Sequence, residues 1–82
     1  METFSAMQTK HYARVMKAEA TKLRERILLM TREDKNSPAL VEGVTVGGLT
    51  REKHLKLIAD ELDDNADKLF AFVEPPIQNN DS

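Results

Sequence analysis

The chain has 82 residues, no cysteine, 32% charged residues and a formal net charge of -2 at pH 7. This length allows one domain, and a domain this small buries only about 60% of the surface of its unfolded chain, so it usually needs extra stabilisation. The lack of cysteine excludes disulfides and thiolate metal sites. Self-association is the remaining route to a complete core, and the small net charge gives no general attraction to nucleic acid or membrane.

Membrane and export signals are missing from the sequence pattern. No apolar run approaches the ~20 residues that a membrane span needs, and the first residues lack the basic start and apolar stretch of a signal peptide. We therefore expect a cytoplasmic protein with no membrane partner and no cofactor. We expect one domain over 1–76 and a disordered polar tail over 77–82.

The first predicted helix runs roughly over 2–32, a segment without glycine or proline. Its apolar residues recur in alternating steps of three and four, as in a helix that packs against other helices. This seam comprises Ala13, Met16, Ala20, Leu23, Ile27 and Met30. Residues 1–32 hold seven Lys/Arg and three Asp/Glu, a net of +4, so the first helix is basic.

The connector over 33–49 interrupts the helical pattern with turn formers and glycines. Pro38 disfavours helical geometry at the residue before it, and the run after it is rich in β-branched residues. The connector is long for a helix–helix connection, since most span about 2–8 residues. The pattern fits either a short extended arm or a small hairpin around Gly43.

The second predicted helix runs over 50–74, with Thr50 as its N-cap and Pro75 and Pro76 after its end. Its seam reads Leu55, Ile58, Leu62, Asn65, Leu69 and Phe72. A second apolar line beside it comprises Ala59, Ala66, Phe70 and Val73. Residues 51–74 hold four Lys/Arg and seven Asp/Glu, a net of -3, so this helix is acidic. A buried Asn65 would fix register and oligomeric state; the alternative is that Asn65 reaches water at the bundle edge.

Both apolar stripes are wider than a two-stranded coiled coil requires. A lone hairpin would cover only part of each stripe, whereas two hairpins packed as a four-helix bundle would cover all of it. The sequence therefore predicts an all-α fold: a helical hairpin with a long connector that self-associates, in the arrangement we expect as a four-helix-bundle dimer.

Charged residues on the two helices have ordinary explanations. Carboxylates crowd the second helix at Asp60, Glu61, Asp63, Asp64 and Asp67. Acid/base work would require burial that shifts a pKa, and no His or Cys joins them as a metal ligand, so we expect a solvated acidic face. A similar solvated face is expected for Lys10, Arg14, Lys17 and Arg24.

Two surfaces are candidates for binding. A line of the first helix mixes cationic and apolar residues: His11, Val15, Lys22 and Arg26. In a two-fold dimer this line could meet its symmetry mate and contact phosphates along an RNA backbone; ion pairs with the acidic helix are the alternative. The connector residues Val41, Val44 and Val46 could present a strand to a partner by edge addition, or cover the bundle end.

The two helices resemble those of the Rop (Rom) family of small plasmid-encoded RNA-binding proteins. The residues that carry the resemblance are Ala13–Lys17, Leu23, Glu25, Arg26, Ile27, Ile58, Leu62, Asp64, Ala66, Asp67, Leu69 and Phe70. The resemblance implies a homodimeric, antiparallel four-helix bundle that binds paired RNA hairpins through its first helices. The RNA-facing set carried over by position is His11, Val15, Glu19 and Arg26, where the family pattern has Asn, Phe, Gln and Lys. The connector is far longer than the family's tight turn.

Taken together, these patterns favour a small non-enzymatic regulatory or inhibitor protein of bacterial, plasmid or phage type that binds another protein. The alternative is a Rop-like RNA-binding regulator that uses the basic face of the first helix.

Overall fold

The computed structural model describes residues 3–73, which form two long helices joined by a short helix and a β-hairpin. The elements in chain order are α1 (Phe4–Leu29), α2 (Arg32–Asn36), β1 (Pro38–Val41), β2 (Val44–Thr50) and α3 (Arg51–Val73). The mostly helical fold with two long helices is therefore confirmed, with a small antiparallel sheet in addition. The expected tail over 77–82 lies outside the described residues.

Side-chain caps set the boundaries of α1 and α2. The Ala6 amide donates to the Thr3 hydroxyl oxygen at 3.0 Å, so Thr3 caps α1. The Asp34 amide donates to the Thr31 hydroxyl oxygen at 3.1 Å, so Thr31 starts α2. Because Thr31 takes extended geometry as an N-cap, α1 ends at Leu29 rather than continuing to the expected residue 32.

The connector is an ordered β-hairpin, the second of the two forms that its sequence allowed. Val41 pairs with Val44, so Glu42 and Gly43 form a two-residue turn, with φ of 52° and 82°. Positive φ at both positions is the signature of a type I′ turn, whose twist matches that of the flanking strands. Between the Leu40–Thr45 and Pro38–Thr50 pairs the register shifts.

Thr50 ends β2 and caps α3. The Lys53 amide donates to the Thr50 hydroxyl oxygen at 3.3 Å, which confirms the predicted N-cap. The Arg51 amide also donates to the Ser37 carbonyl oxygen at 2.7 Å. This bond ties the first turn of α3 to the end of α2 and fixes where the hairpin leaves the helices.

α1 and α3 pack antiparallel along their length, since Lys17 contacts Asp63 and Asp67 while Arg24 contacts Asp60 and Asp63. The apolar side chains buried between elements are small, apart from Ile27. The buried apolar set among the described residues is Ala13, Ala20, Ile27, Ala39, Ala59 and Ala66. No large side chain in the described part of the chain is fully buried.

The core line of α3 differs from the expected seam. Within the hairpin, Ala59 and Ala66 are buried, while Ile58 is 37% exposed, Asn65 is exposed and Phe72 is 86% exposed. The second apolar line of the sequence is therefore the one that faces α1. Alanines occupy the contact positions because their small side chains allow the two helix backbones to approach closely. The expected seam, with its larger side chains, is turned to one side of this contact.

Candidate interaction surfaces

The hairpin has two broad faces that differ in chemistry. A helix turns by about 100° per residue, so the buried alanines divide each helix into two flanks. One flank of α1 holds Lys17 and Arg24, and the matching flank of α3 holds their aspartate partners. We call this side the ion-paired face.

Four contacts define the ion-paired face. The Lys17 ammonium lies 2.8 Å from an Asp67 carboxylate oxygen and 3.6 Å from one of Asp63. An Arg24 Nη2 donates to Asp60 at 2.9 Å, and the other terminal nitrogen contacts Asp63. Asp63 thus bridges the two cations and is the most buried carboxylate of the group, with its side chain 26% exposed.

This network shifts the protonation equilibria of its members. Hydrogen bonding to Arg24, with the nearby charges of Arg24 and Lys17, lowers the pKa of Asp63 against an opposing desolvation effect. A hydrogen bond to Asp67 raises the pKa of Lys17, and hydrogen bonds to Asp60 and Asp63 raise the pKa of Arg24. Each shift favours the charged form, so all three groups are ionised at neutral pH.

The expectation of a solvated charged face is wrong for Lys10, which is buried, whereas the side chains of Asp60 and Asp67 are 71% and 65% exposed. Lys17 and Arg24 bind the aspartates of α3. The opposite net charges of the two helices therefore have a structural role, because they form ion pairs between α1 and α3 along one side. The carboxylates Asp60, Asp63 and Asp67 serve as ion-pair acceptors in this structure.

The opposite side of the hairpin is apolar and only half covered. It is formed by the flanks that turn away from the ion pairs, and we call it the apolar face. Its members are Tyr12, Met16 and Leu23 of α1, the C-cap residue Met30 that follows α1, and Ile58, Leu62, Leu69 and Phe72 of α3. Met16, Leu23, Leu62 and Leu69 are half-buried by the hairpin itself, while Tyr12 and Phe72 are mostly exposed.

Tyr12 is the member of this face that the sequence did not single out. It precedes the seam residue Ala13, and Glu19 and Arg26 repeat that position at intervals of seven. The signal was therefore present as a heptad line, 12–19–26, parallel to the buried line 13–20–27. Only the hairpin geometry shows that this line borders the apolar face.

The candidate RNA-binding residues lie on one side of α1, but they do not form a strongly positive patch. His11, Val15, Lys22 and Arg26 are all exposed along one side of α1. Lys22 is 3.6 Å from the Glu19 carboxylate, an exposed i,i+3 pair, which reduces the positive potential of the line. Arg26 makes no ion pair with any residue in 3–73.

The β-hairpin tip presents a second exposed apolar surface. Val41 is 49% and Val44 is 66% exposed, and Val46 is half-buried nearer the helices. Leu40 is also exposed on the other side of the ribbon. Of the three connector residues proposed for partner binding, Val41 and Val44 are thus accessible, and Val46 has a partly structural place.

Other classes of site find little support in residues 3–73. No group of three or more His, Asp or Glu side chains there is arranged to hold a metal ion. No helix of that range has the length and apolar character needed to cross a membrane. In comparisons with protein-family models, with curated proteins and with solved structures, no match to the chain was found.

Proposed function

We propose that this protein is a small non-enzymatic regulatory or inhibitor protein of bacterial, plasmid or phage type, acting in the cytoplasm by binding another protein. In this proposal it works as a self-associated dimer, a four-helix bundle built from two hairpins. The β-hairpin tips then carry the contact to the target protein.

One observation carries the proposal: residues 3–73 leave the apolar face partly exposed. A folded domain normally buries its large side chains, yet Ile27 is the one large apolar residue of α1 and α3 that is buried in the described part of the chain, and Tyr12 and Phe72 are mostly exposed. Burying apolar surface contributes about 25 cal/mol per Å². A partner that covers the apolar face therefore stabilises a chain whose own buried core is mostly alanine.

A matched pair of leucine-sized positions tests the self-association. Ile58 lies on the apolar face and Leu28 lies on the other side of the molecule, 78% exposed. We expect Ile58→Lys to convert the dimer to monomer in sedimentation equilibrium, because a charge would be buried without a partner. Leu28→Lys adds the same charge and should remain dimeric. Equal behaviour of the two variants would contradict the proposed interface.

The second candidate is RNA binding, favoured by the exposure of His11, Val15, Lys22 and Arg26 on one side of α1 and by the Rop resemblance. A gel-shift titration against a pair of complementary RNA hairpins separates the two candidates. Phosphate contacts weaken steeply as salt rises. A shift that survives physiological salt and is lost in Lys22→Ala would replace protein binding by RNA binding. The present proposal expects no shift at physiological salt.

A further inference from the structure

The two copies of such a dimer can stack their apolar faces in two symmetric ways. If the two-fold axis runs along the helices, both β-hairpins lie at the same end and α1 of each copy adjoins α3 of the other. If the axis runs across the helices, the β-hairpins lie at opposite ends, α1 adjoins α1, and α3 adjoins α3. The choice between these arrangements rests on the proposed self-association.

Helix charges distinguish the two arrangements. α1 carries six Lys/Arg and two Glu, a net of +4, and α3 carries four Lys/Arg and six Asp/Glu, a net of -2. Packing α1 against α1 puts two basic helices side by side, because α1 keeps four Lys/Arg and two Glu when the ion-paired Lys17 and Arg24 are left out. Packing α1 against the partner's α3 instead brings Arg26 of each copy near the partner's Glu61, and charge complementarity of this kind fixes register in associating helices.

The positions of the side chains along the helix axes, which we call their heights, favour the same arrangement. Within one hairpin, Lys17 is level with Asp67 and Arg24 is level with Asp60. The same offset places the outward heptad lines of the two helices at matching heights, in three pairs. These pairs are Tyr12 with Phe72, Glu19 with Asn65, and Arg26 with Ile58. A two-fold axis along the helices keeps these heights across the interface.

Each cross-copy pair then has compatible chemistry. Tyr12 meets an aromatic ring in the partner's Phe72, and both rings are mostly exposed in the lone hairpin. Glu19 meets the amide of the partner's Asn65, which can donate a hydrogen bond. Arg26 lies beside the partner's Ile58 and one turn from the partner's Glu61. Within residues 3–73, neither Arg26 nor Glu61 has an ion-pair partner of its own chain.

The arrangement whose two-fold axis runs across the helices does not form these three pairs. It would set the two basic α1 helices side by side, with a Glu19 near its own symmetry mate at the middle of the bundle. Like charges in contact are unfavourable.

We infer that a second copy of this chain covers the apolar face with its β-hairpin at the same end, so that α1 of each copy packs against α3 of the other. The two tips formed by Val41–Val44 then project side by side as one bivalent apolar surface. The two α1 helices lie diagonally, so their basic lines do not merge into one surface.

Spin-label distances in the full chain test the arrangement directly, since the sequence has no native cysteine. Thr45 is exposed on the β-hairpin and Ala18 is exposed near the middle of α1. With interaxial distances of about 8–10 Å, labels at Thr45→Cys should lie roughly 20–30 Å apart. The arrangement with the β-hairpins at opposite ends separates the two labels by more than the length of α1, about 39 Å. Labels at Ala18→Cys give similar distances in both arrangements and serve as the control.

Charge exchange gives an independent readout of the same contact. Arg26→Glu and Glu61→Arg should each weaken the dimer about tenfold in sedimentation equilibrium, through two reversed pairs per dimer. An equimolar mixture of the two variants should regain native affinity, because the glutamate introduced at position 26 of one copy then faces the arginine introduced at position 61 of the other. No recovery on mixing would overturn the inferred packing.

The possible outcomes distinguish a failure of the packing arrangement from a failure of the self-association. A protein that stays monomeric refutes the self-association and the arrangement together. A dimer with a long Thr45→Cys distance refutes the arrangement alone and restores a continuous α1 surface. A dimer with a short distance and recovery on mixing supports both.

Discussion

Close approach of the two long helices at their alanines is the feature of this fold that a single substitution tests best. Ala66 is fully buried against α1. Ala66→Leu adds three carbons where the surroundings have no space, and overpacking of this kind typically costs about 1–3 kcal/mol. For a chain of this size, 1 kcal/mol at the midpoint corresponds to roughly 4–8 °C. We therefore expect Tm to fall by roughly 4–24 °C.

The control is Ala18→Leu, which makes the same change at an exposed position in the middle of α1. Ala and Leu have similar helix propensities, so its Tm should stay close to that of the native chain. Both variants should be unfolded thermally at one protein concentration, since association makes Tm concentration-dependent. If Ala66→Leu melts no lower than Ala18→Leu, the helices do not meet at Ala66 and the packing described above is wrong.

Three further substitutions have defined outcomes. Glu42→Asn should raise the free energy of unfolding by about 0.5–1 kcal/mol in urea titration, because Asn adopts positive φ more readily than Glu; a loss of stability would mean that the Glu42 side chain makes a needed contact. The pKa of Asp63 lies below its ordinary value of 3.8 in the folded protein, so its contribution is complete above pH ~3.8 and is lost as pH falls through the folded-state pKa. The stability difference between native protein and Asp63→Asn should therefore be largest near neutral pH and shrink below pH ~4; a constant difference would contradict the ion-pair network. Asn65→Leu should tighten the dimer but broaden the distribution of oligomers in light scattering, and an unchanged, strictly dimeric distribution would show that Asn65 does not select the dimer.

Sequence periodicity predicted the two helices because their spacing of apolar residues is local information. The same reasoning found the N-cap Thr50, whose hydroxyl needs only residues three positions away. The periodicity placed the α3 seam on Ile58 and Asn65, because a pattern of spacing gives more weight to large residues than to alanines when it predicts the core. The closer approach permitted by Ala59 and Ala66 depends on the opposite helix, which local spacing does not describe.

The connector and the charges show the same limit. Gly43 suggested a hairpin, but the preceding Glu42 is an unusual residue for positive φ, so the sequence left an extended arm open. The charges of Lys17 and Arg24 indicated the sign of each helix but not their partners. Only the antiparallel register brings them to Asp60, Asp63 and Asp67.

The measurement that tests the central claim most directly is an isotope-filtered NOE experiment on a mixed sample of labelled and unlabelled chains. Signals in this experiment arise only between two copies. We predict contacts between copies from the methyl groups of Met16, Leu23, Leu62 and Leu69 on the apolar face. An absence of such contacts, or contacts confined to Leu28 and Leu29 on the outer side of α1, would contradict the claim that a second copy covers this face.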